Sequence, residues 1–273
     1  MSIRCIADWR KLLADIVSQG RVSNGWLQMP LREGVRAARY ELPLTHDIEI
    51  RASQDDEQLR FLILILGFLL GLRLLPKGWG HLHATAVETG KCNSFLLMDR
   101  DIIPCLDLAS NFYQQCRQTR NVKRMLSAVT LSHWSQVQPI QFDEFNSLYM
   151  AIDVCWAICK DMHPRAMQLH GSKNGRIISH KLRPTVMCRI LNLSLPEIFD
   201  PSSAVTAASI RNDLLHEGLV GDLPIGHTVV RSHCTLEMRE FAEKVILSLL
   251  GVKAGYLTTP GGDRQHHLLD IQN

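Results

Sequence analysis

Residues 142–162 read FDEFNSLYMAIDVCWAICKDM, and their apolar side chains recur at intervals of three and four residues. This spacing predicts an α-helix with one apolar stripe along its length. Three later segments, at 184–193, 202–218 and 234–250, also have helical patterns. Four consecutive helices joined by loops are typical of an up-and-down four-helix bundle, which we predict for residues 141–253.

The chain before this bundle has a different pattern. Short apolar segments broken by Gly and Pro indicate β-strands; they lie around residues 26–29, 40–44, 48–50 and 94–98. Helices are expected at 7–19 and 105–128. We therefore predict a mixed α+β N-terminal domain at 1–140. A C-terminal tail at 254–273 is expected to be loose or to dock late, and the fold class as a whole is mostly α.

The most apolar segment, residues 61–72, reads FLILILGFLLGL. A bilayer-spanning helix needs about 20 apolar residues. Arg73 and Pro76 end this segment early, so we expect no membrane span. The segment predicts a buried helix at about 55–75, in which Gly67 and Gly71 permit close packing.

Composition indicates a globular protein without naming its partner. The 273 residues are 46% hydrophobic and 21% charged, and the formal net charge is +3. The eight cysteines form no CxxC pair and the start of the chain has no signal-peptide pattern, so we expect reduced thiols and a cytoplasmic location. The 12 histidines show no complete zinc-ligand spacing. We expect no metal and no cofactor.

Residues 200–219 read DPSSAVTAASIRNDLLHEGL and carry the clearest chemical pattern. We expect a helix that begins at a cap formed by Ser202 or Ser203 and ends at Gly218. His216 then lies in the last turn, where the helix dipole favours a protonated imidazole. Asn212, four residues earlier, shares its face, and Arg211 lies about 140° around the helix axis.

An arginine, an amide and a histidine at one helix end combine anion binding with proton transfer. Cleavage of an RNA phosphodiester requires both: the 2′-hydroxyl loses a proton, the 5′-oxygen gains one, and charge builds on the phosphoryl oxygens. This route needs no metal ion.

The segment Arg-Asn-Asp-Leu-Leu-His at 211–216 resembles the Arg-x4–6-His signature of the HEPN superfamily. The resemblance implies an all-helical domain and a metal-independent endoribonuclease of toxin or antiviral defence systems. It also implies Arg211, Asn212 and His216 as catalytic residues and a site formed where two copies meet in a homodimer. An antitoxin or a defence-complex protein is a further expected partner.

Two basic segments are candidates for binding the RNA backbone. Arg117, Arg120 and Arg124 recur at i, i+3 and i+7, in a stretch with no acid from Leu108 to Phe142. On one helix they would form a basic ridge. The second is the segment Lys160–Arg183, most of which is an expected loop at 163–182. It is rich in glycine and holds one acid, Asp161, against six basic residues: Lys160, Arg165, Lys173, Arg176, Lys181 and Arg183.

Two other functions remain open from the sequence. The helical domain could be a non-catalytic module that binds RNA or a protein within a larger complex. Alternatively, the α+β part could house an unrelated enzyme, in which case His81, His83 or Cys92 would matter.

Overall fold

The computed structural model describes residues 55–72, 93–136, 141–170, 178–217, 234–261 and 267–272 continuously, with shorter stretches at 2–5, 22–23, 26–28, 46–49 and 84–86 and a few single residues. The described part is mostly helical, which confirms the mostly-α class. The helices are α1 Asp56–Leu70, α2 Asp99–Cys116, α3 Asn121–Ser135, α4 Gln141–Met162, α5 Pro164–His170, α6 Arg183–Leu191, α7 Ala207–Asn212 and α8 Cys234–Leu249.

The strands are short. In the first part of the chain β1 (Ser2–Cys5) pairs antiparallel with β4 (His46–Glu49). A second antiparallel sheet has the order β2 (Val22–Ser23), β3 (Trp26–Gln28) and β5 (Ala84–Ala86). β6 (Phe95–Leu96) pairs in parallel with β7 (His267–Leu268), near the C-terminus. The strands predicted around residues 26, 48 and 95 are therefore confirmed, and the one predicted at 40–44 lies outside the described residues.

Helix α1 confirms the buried helix predicted from the apolar segment. Asp55 caps its start, accepting a hydrogen bond from the Gln58 amide at 2.6 Å. Gly71 ends it in the left-handed conformation with φ of 64°. A Cβ on Gly67 would lie 2.7 Å from the carbonyl oxygen of Leu72, so this glycine lets the chain fold back over the helix end. No helix among the described residues is both long and apolar enough to span a bilayer.

Helix α4 lies at the centre of the packing. It packs against α3 and α8, while α1 packs against α2 and α3. The largest wholly buried side chains of these helices include Phe61 and Ile65 of α1, Met125 of α3, Phe145 and Leu148 of α4, and Phe241 of α8. Burying each such side chain contributes about 1.5–3 kcal/mol. This core includes residues from both sides of position 140, and the domain division placed there stays a prediction.

The helix predicted at 105–128 is wrong, because the structure has two helices, α2 and α3, with a break between them. Thr119 accounts for the break. Its hydroxyl donates to the carbonyl oxygen of Cys116 at 2.8 Å and accepts from the amide of Asn121 at 3.1 Å. One side chain thereby forms hydrogen bonds with a backbone carbonyl at the end of α2 and with a backbone amide at the start of α3.

The described part of the C-terminal tail docks on the core. Tyr256 and Leu269 are buried, and β7 adds its strand to β6. Glu243 of α8 joins these segments: its Oε2 accepts from the Ser94 amide at 3.0 Å, from the Ser94 hydroxyl at 2.5 Å and from the Tyr256 hydroxyl at 3.3 Å. Burial raises the pKa of Glu243 to about 7, because these hydrogen bonds offset only part of the cost of removing a carboxylate from water.

The raised pKa of Glu243 predicts a pH dependence of stability. The carboxyl binds a proton in the folded state up to about pH 7 but releases it near 4.5 when unfolded. The folded state then holds more protons than the unfolded state, so the Glu243 contribution to stability falls as pH rises through this window. We expect Glu243→Gln to gain stability relative to wild type by about 2 kcal/mol between pH 5 and pH 7.5, measured by urea unfolding.

Asp107→Asn, at an exposed position of α2, is the matched control and should change stability equally at both pH values. If the free energies of unfolding of Glu243→Gln and wild type differed by the same amount at the two pH values, the raised pKa of Glu243 would be contradicted.

Candidate functional site

The helix that carries the sequence motif begins later than expected. Thr206 caps it: the Thr206 side chain accepts from the Ser209 amide at 3.2 Å, and the Ser209 hydroxyl accepts from the Thr206 amide at 2.9 Å. This reciprocal capping box starts α7 at Ala207. The predicted cap at Ser202 or Ser203 is therefore wrong, and both serines lie in the turn before the helix.

The helix also changes register within the motif. α7 ends at Asn212, and a π-helical turn spans Asp213–Glu217. A regular α-helix through His216 was predicted, and this part of the prediction is wrong. In a π turn the hydrogen bonds join residues five apart instead of four apart. Arg211 precedes this turn and His216 lies within it, so the spacing of a regular α-helix does not apply to the pair.

The structure brings two of the three predicted catalytic residues into direct contact. The Nη1 atom of Arg211 donates to Oδ1 of Asn212 at 3.2 Å. His216 lies on the following turn with an exposed side chain. Among the described residues it has no hydrogen-bond partner. The guanidinium carbon of Arg211 also lies 5.7 Å from the centroid of the Tyr149 ring, in a cation–π contact with α4.

Tyr149 forms one wall of a cleft that the sequence did not reveal. We call it the Tyr149 cleft; its polar lining consists of Tyr149, Asp153, His180, Lys181, Arg183 and Thr206. Asp153 lies one turn after Tyr149 on α4. His180 and Lys181 belong to a 3-10 turn at His180–Leu182, and Arg183 begins α6.

Asp153 organises the polar side chains of the cleft. Its Oδ1 accepts from Nη1 of Arg183 at 2.8 Å, and its Oδ2 lies 3.4 Å from Nδ1 of His180. The same Arg183 nitrogen lies 3.1 Å from Nδ1 of His180. The His180 ring stacks on Tyr149 with centroids 6.3 Å apart, and the Arg183 guanidinium lies 5.9 Å from the centroid of Trp156.

The environment keeps the two rings of the cleft neutral near pH 7. Burial and the Asp153 charge raise the pKa of Tyr149 to about 12, although Arg211 and Arg183 oppose this shift. Burial lowers the pKa of His180, assisted by Arg183 and Arg211, while Asp153 acts in the opposite direction. The cations around the cleft are then Lys181, Arg183 and Arg211, against Asp153 in the lining and Asp200 near Lys181. The described side chains of the cleft thus carry surplus positive charge.

The predicted basic ridge is wrong as a feature of one helix. Arg117 and Arg120 are exposed in the break between α2 and α3, whereas Arg124 lies within α3. Arg124 donates to Asp161 at 2.5 Å and to Asn121 at 2.9 Å, so it is already paired within the chain.

The second basic segment is only partly a loop. Residues Pro164–His170 form α5, and residues His180–Leu182 form the 3-10 turn of the cleft. Lys173 and Arg176 lie outside the described residues.

The other candidate positions give no site among the described residues. Cys155 and Cys159 are completely buried, which confirms them as core residues, and burial raises the pKa of both thiols. The described residues contain no cluster of His, Cys, Asp and Glu that could hold a metal ion. His81, His83 and Cys92 lie outside them.

Comparison with known proteins adds no relative: no family model, no curated protein and no solved structure matches this chain. The HEPN resemblance therefore depends on residues 211–216 and on the helices around them.

The contacts of His180 predict how its pKa responds to substitution. We expect the pKa of His180, followed by NMR titration and assigned with His180→Gln, to lie below its ordinary 6.5. Asp153→Asn removes the charge that favours the imidazolium and should lower the pKa further. Asp143→Asn, in the first turn of the same helix, is the control and should leave it unchanged. A pKa that Asp153→Asn does not change would show that the carboxylate and imidazole are not in contact in solution.

Proposed function

We propose that this protein is a metal-independent endoribonuclease of HEPN type, which cleaves RNA by attack of the 2′-hydroxyl on the adjacent phosphorus. The observation that carries the proposal is the Arg211–Asn212 hydrogen bond beside the Tyr149 cleft, followed on the next turn by an exposed His216. Anion binding and proton transfer are thus available along one short segment.

The proposed roles follow from the chemistry of each group. His216 is accessible to a substrate and acts as general base at the 2′-hydroxyl or as general acid at the 5′-oxygen. Arg211 stabilises the charge that develops on the phosphoryl oxygens. Asn212 holds the guanidinium through its Oδ1, which leaves its amide N–H groups available for the phosphate. The products are a 2′,3′-cyclic phosphate and a 5′-hydroxyl.

The packing of the later helices supports an HEPN-like bundle within residues 141–253. α4 and α8 pack against each other, and α6 contacts both of them. α7 is short and packs against the 3-10 turns at His180–Leu182 and Glu197–Phe199. We propose that α4, α6, α7 with its π turn, and α8 are the four helices of this bundle.

The proposed enzyme acts as a cytoplasmic homodimer in which two motif segments face each other across RNA. The exposure of His216 supports this arrangement, because an exposed imidazole is available to a second copy. An antitoxin or a defence-complex protein is a further proposed partner.

One observation favours the alternative, a non-catalytic RNA- or protein-binding helical module. Catalytic histidines are usually oriented by a hydrogen bond to the second ring nitrogen. His216 has no such bond among the described residues. In the proposed enzyme the second copy or the RNA supplies this contact, whereas in a binding module none is required.

RNA cleavage in the presence of EDTA tests the proposed function. We expect wild type to cleave a single-stranded RNA, and we expect His216→Ala and Arg211→Ala each to lower the rate by at least about 100-fold. Electrophoresis with end-group analysis identifies the cyclic phosphate and 5′-hydroxyl.

Arg189→Ala, at an exposed position of α6, is the matched control for lost positive charge and should cleave like wild type. Equal cleavage by wild type and both motif variants, or none at micromolar protein, would contradict the nuclease. RNA binding without cleavage, measured by electrophoretic shift, would then favour the binding module.

A further inference from the structure

The two arginines beside the Tyr149 cleft have hydrogen-bond donors left over. Arg211 uses Nη1 for Asn212, and Arg183 uses Nη1 for both Asp153 and His180. The Nη2 atoms of both arginines have no hydrogen-bond partner within the described part of the chain. Guanidinium groups bind phosphate oxygens through paired N–H donors, so this arrangement suits a phosphate.

The two guanidinium groups also converge on the same pair of rings. The Tyr149 and His180 rings stack on each other with centroids 6.3 Å apart, so a group beside one ring lies near the other. Arg211 reaches Tyr149 from α7, whereas Arg183 reaches His180 from the start of α6. An anion at the Tyr149 cleft would therefore lie within the field of both arginines.

The walls of the cleft strengthen such an interaction. Ile152, Pro184 and Phe199 line it alongside the polar groups. The Arg183 side chain is only 19% exposed, so little water competes for its donors. Charge-assisted hydrogen bonds are stronger where the local dielectric constant is low.

We propose that a phosphate group of the RNA backbone binds at the mouth of the Tyr149 cleft, held jointly by Arg183 and Arg211, while Asp153 serves as the internal counter-ion of Arg183. This inference rests on the proposed function for the identity of the ligand, although phosphate binding itself requires no cleavage. Arg183 ends the basic segment that the sequence predicts for RNA binding, but the sequence does not predict that it acts together with Arg211.

Substitution of Asp153 predicts the direction in which the affinity for phosphate changes. Its carboxylate neutralises Arg183 and repels an incoming phosphate, so it weakens binding while holding the cleft in shape. Replacing Asp153 with the isosteric Asn keeps a hydrogen-bond acceptor and removes the repulsion. If the salt bridge between Asp153 and Arg183 had a purely structural role, Asp153→Asn would not raise the affinity for anions.

His180 adds a dependence on pH. The groups that face its imidazole are Tyr149 and Asp153 of α4, Arg183 of α6 and Arg211 of α7. Protonation below the lowered pKa of His180 would add its positive charge to those of Lys181, Arg183 and Arg211. Phosphate binding should therefore strengthen as pH falls through this range, and His180→Gln should remove that part of the pH dependence.

The experiment measures affinity for two probes by isothermal titration calorimetry, using the full chain. One probe is inorganic phosphate, and the other is a short 2′-O-methyl RNA, which binds but lacks the nucleophile for cleavage. We expect Arg183→Gln and Arg211→Gln each to weaken binding of both probes by about tenfold or more. Asp153→Asn should tighten both, and Arg189→Gln, an exposed arginine of α6, should change neither.

The outcomes separate this proposal from the proposed nuclease. Cleavage by wild type with unchanged probe affinity in Arg183→Gln and Asp153→Asn would overturn the phosphate site alone. Affinity changes of the expected sign without any cleavage would support the phosphate site and overturn the nuclease. An equal loss in Arg189→Gln would overturn the site in favour of diffuse charge attraction.

Binding of free phosphate that the RNA probe does not compete for would overturn the assignment of the ligand to RNA. Because Arg183 packs on Trp156, Arg183→Gln could fail to fold. In that case the gain in probe affinity of Asp153→Asn decides the outcome. Arg183→Lys, which keeps the charge and loses the paired donors, supports it.

Discussion

The ion pair between Asp153 and Arg183 is the contact on which the candidate site depends. One carboxylate joins the middle of α4 to the first residue of α6 and also fixes the neighbouring His180. Both side chains of the pair are partly withdrawn from water, so removing either one leaves a charge whose solvation is incomplete. His180 in turn stacks on Tyr149, whose ring also contacts Arg211.

Helix α4 has a second charged attachment, and together the two explain why it lies at the centre of the fold. Glu144 near its start accepts from Arg239 of α8 at 2.7 Å, with both side chains mostly buried. Apolar packing alone favours many rotations of one helix on another at similar energy. Two ion pairs at different heights of α4, to α8 and to α6, select one rotation. The selected rotation is the one that turns Phe145 and Leu148 into the core and Tyr149 toward the cleft.

The sequence predicted those parts of the fold in which local spacing and burial agree. α4 and α8 have apolar stripes and lie where their periodicity predicts a helix. α1 lies where the continuous apolar segment at 61–72 predicts a buried helix. The break between α2 and α3 was missed because it depends on the Thr119 hydroxyl and not on apolar spacing. The π turn was missed because Ala207 and Leu214 face the core in either register.

The Tyr149 cleft could not be predicted from local sequence patterns, for a different reason. Asp153 and Arg183 are 30 positions apart, and only tertiary packing brings them together. Two weak signals did exist. Asp153 is a carboxylate one turn after Tyr149 on a helix rich in apolar residues, and His180 and Arg183 precede Pro184, a usual first-turn residue of a helix. Neither signal specifies which partner lies opposite, whereas the Arg-Asn-Asp-Leu-Leu-His motif is contiguous and could be found without a structure.

The charge balance of the Tyr149 cleft links the stability of the fold to the binding of an anion. The two arginines beside the cleft, Arg183 and Arg211, share one described counter-ion, Asp153, so their positive charges are only partly compensated. A bound anion would complete this compensation in the folded state and would therefore stabilise the fold by mass action. If two copies face each other as proposed, the two Arg211 side chains would also repel each other until a polyanion lay between them. Assembly and RNA binding would then be thermodynamically linked, because each would lower the electrostatic cost of the other.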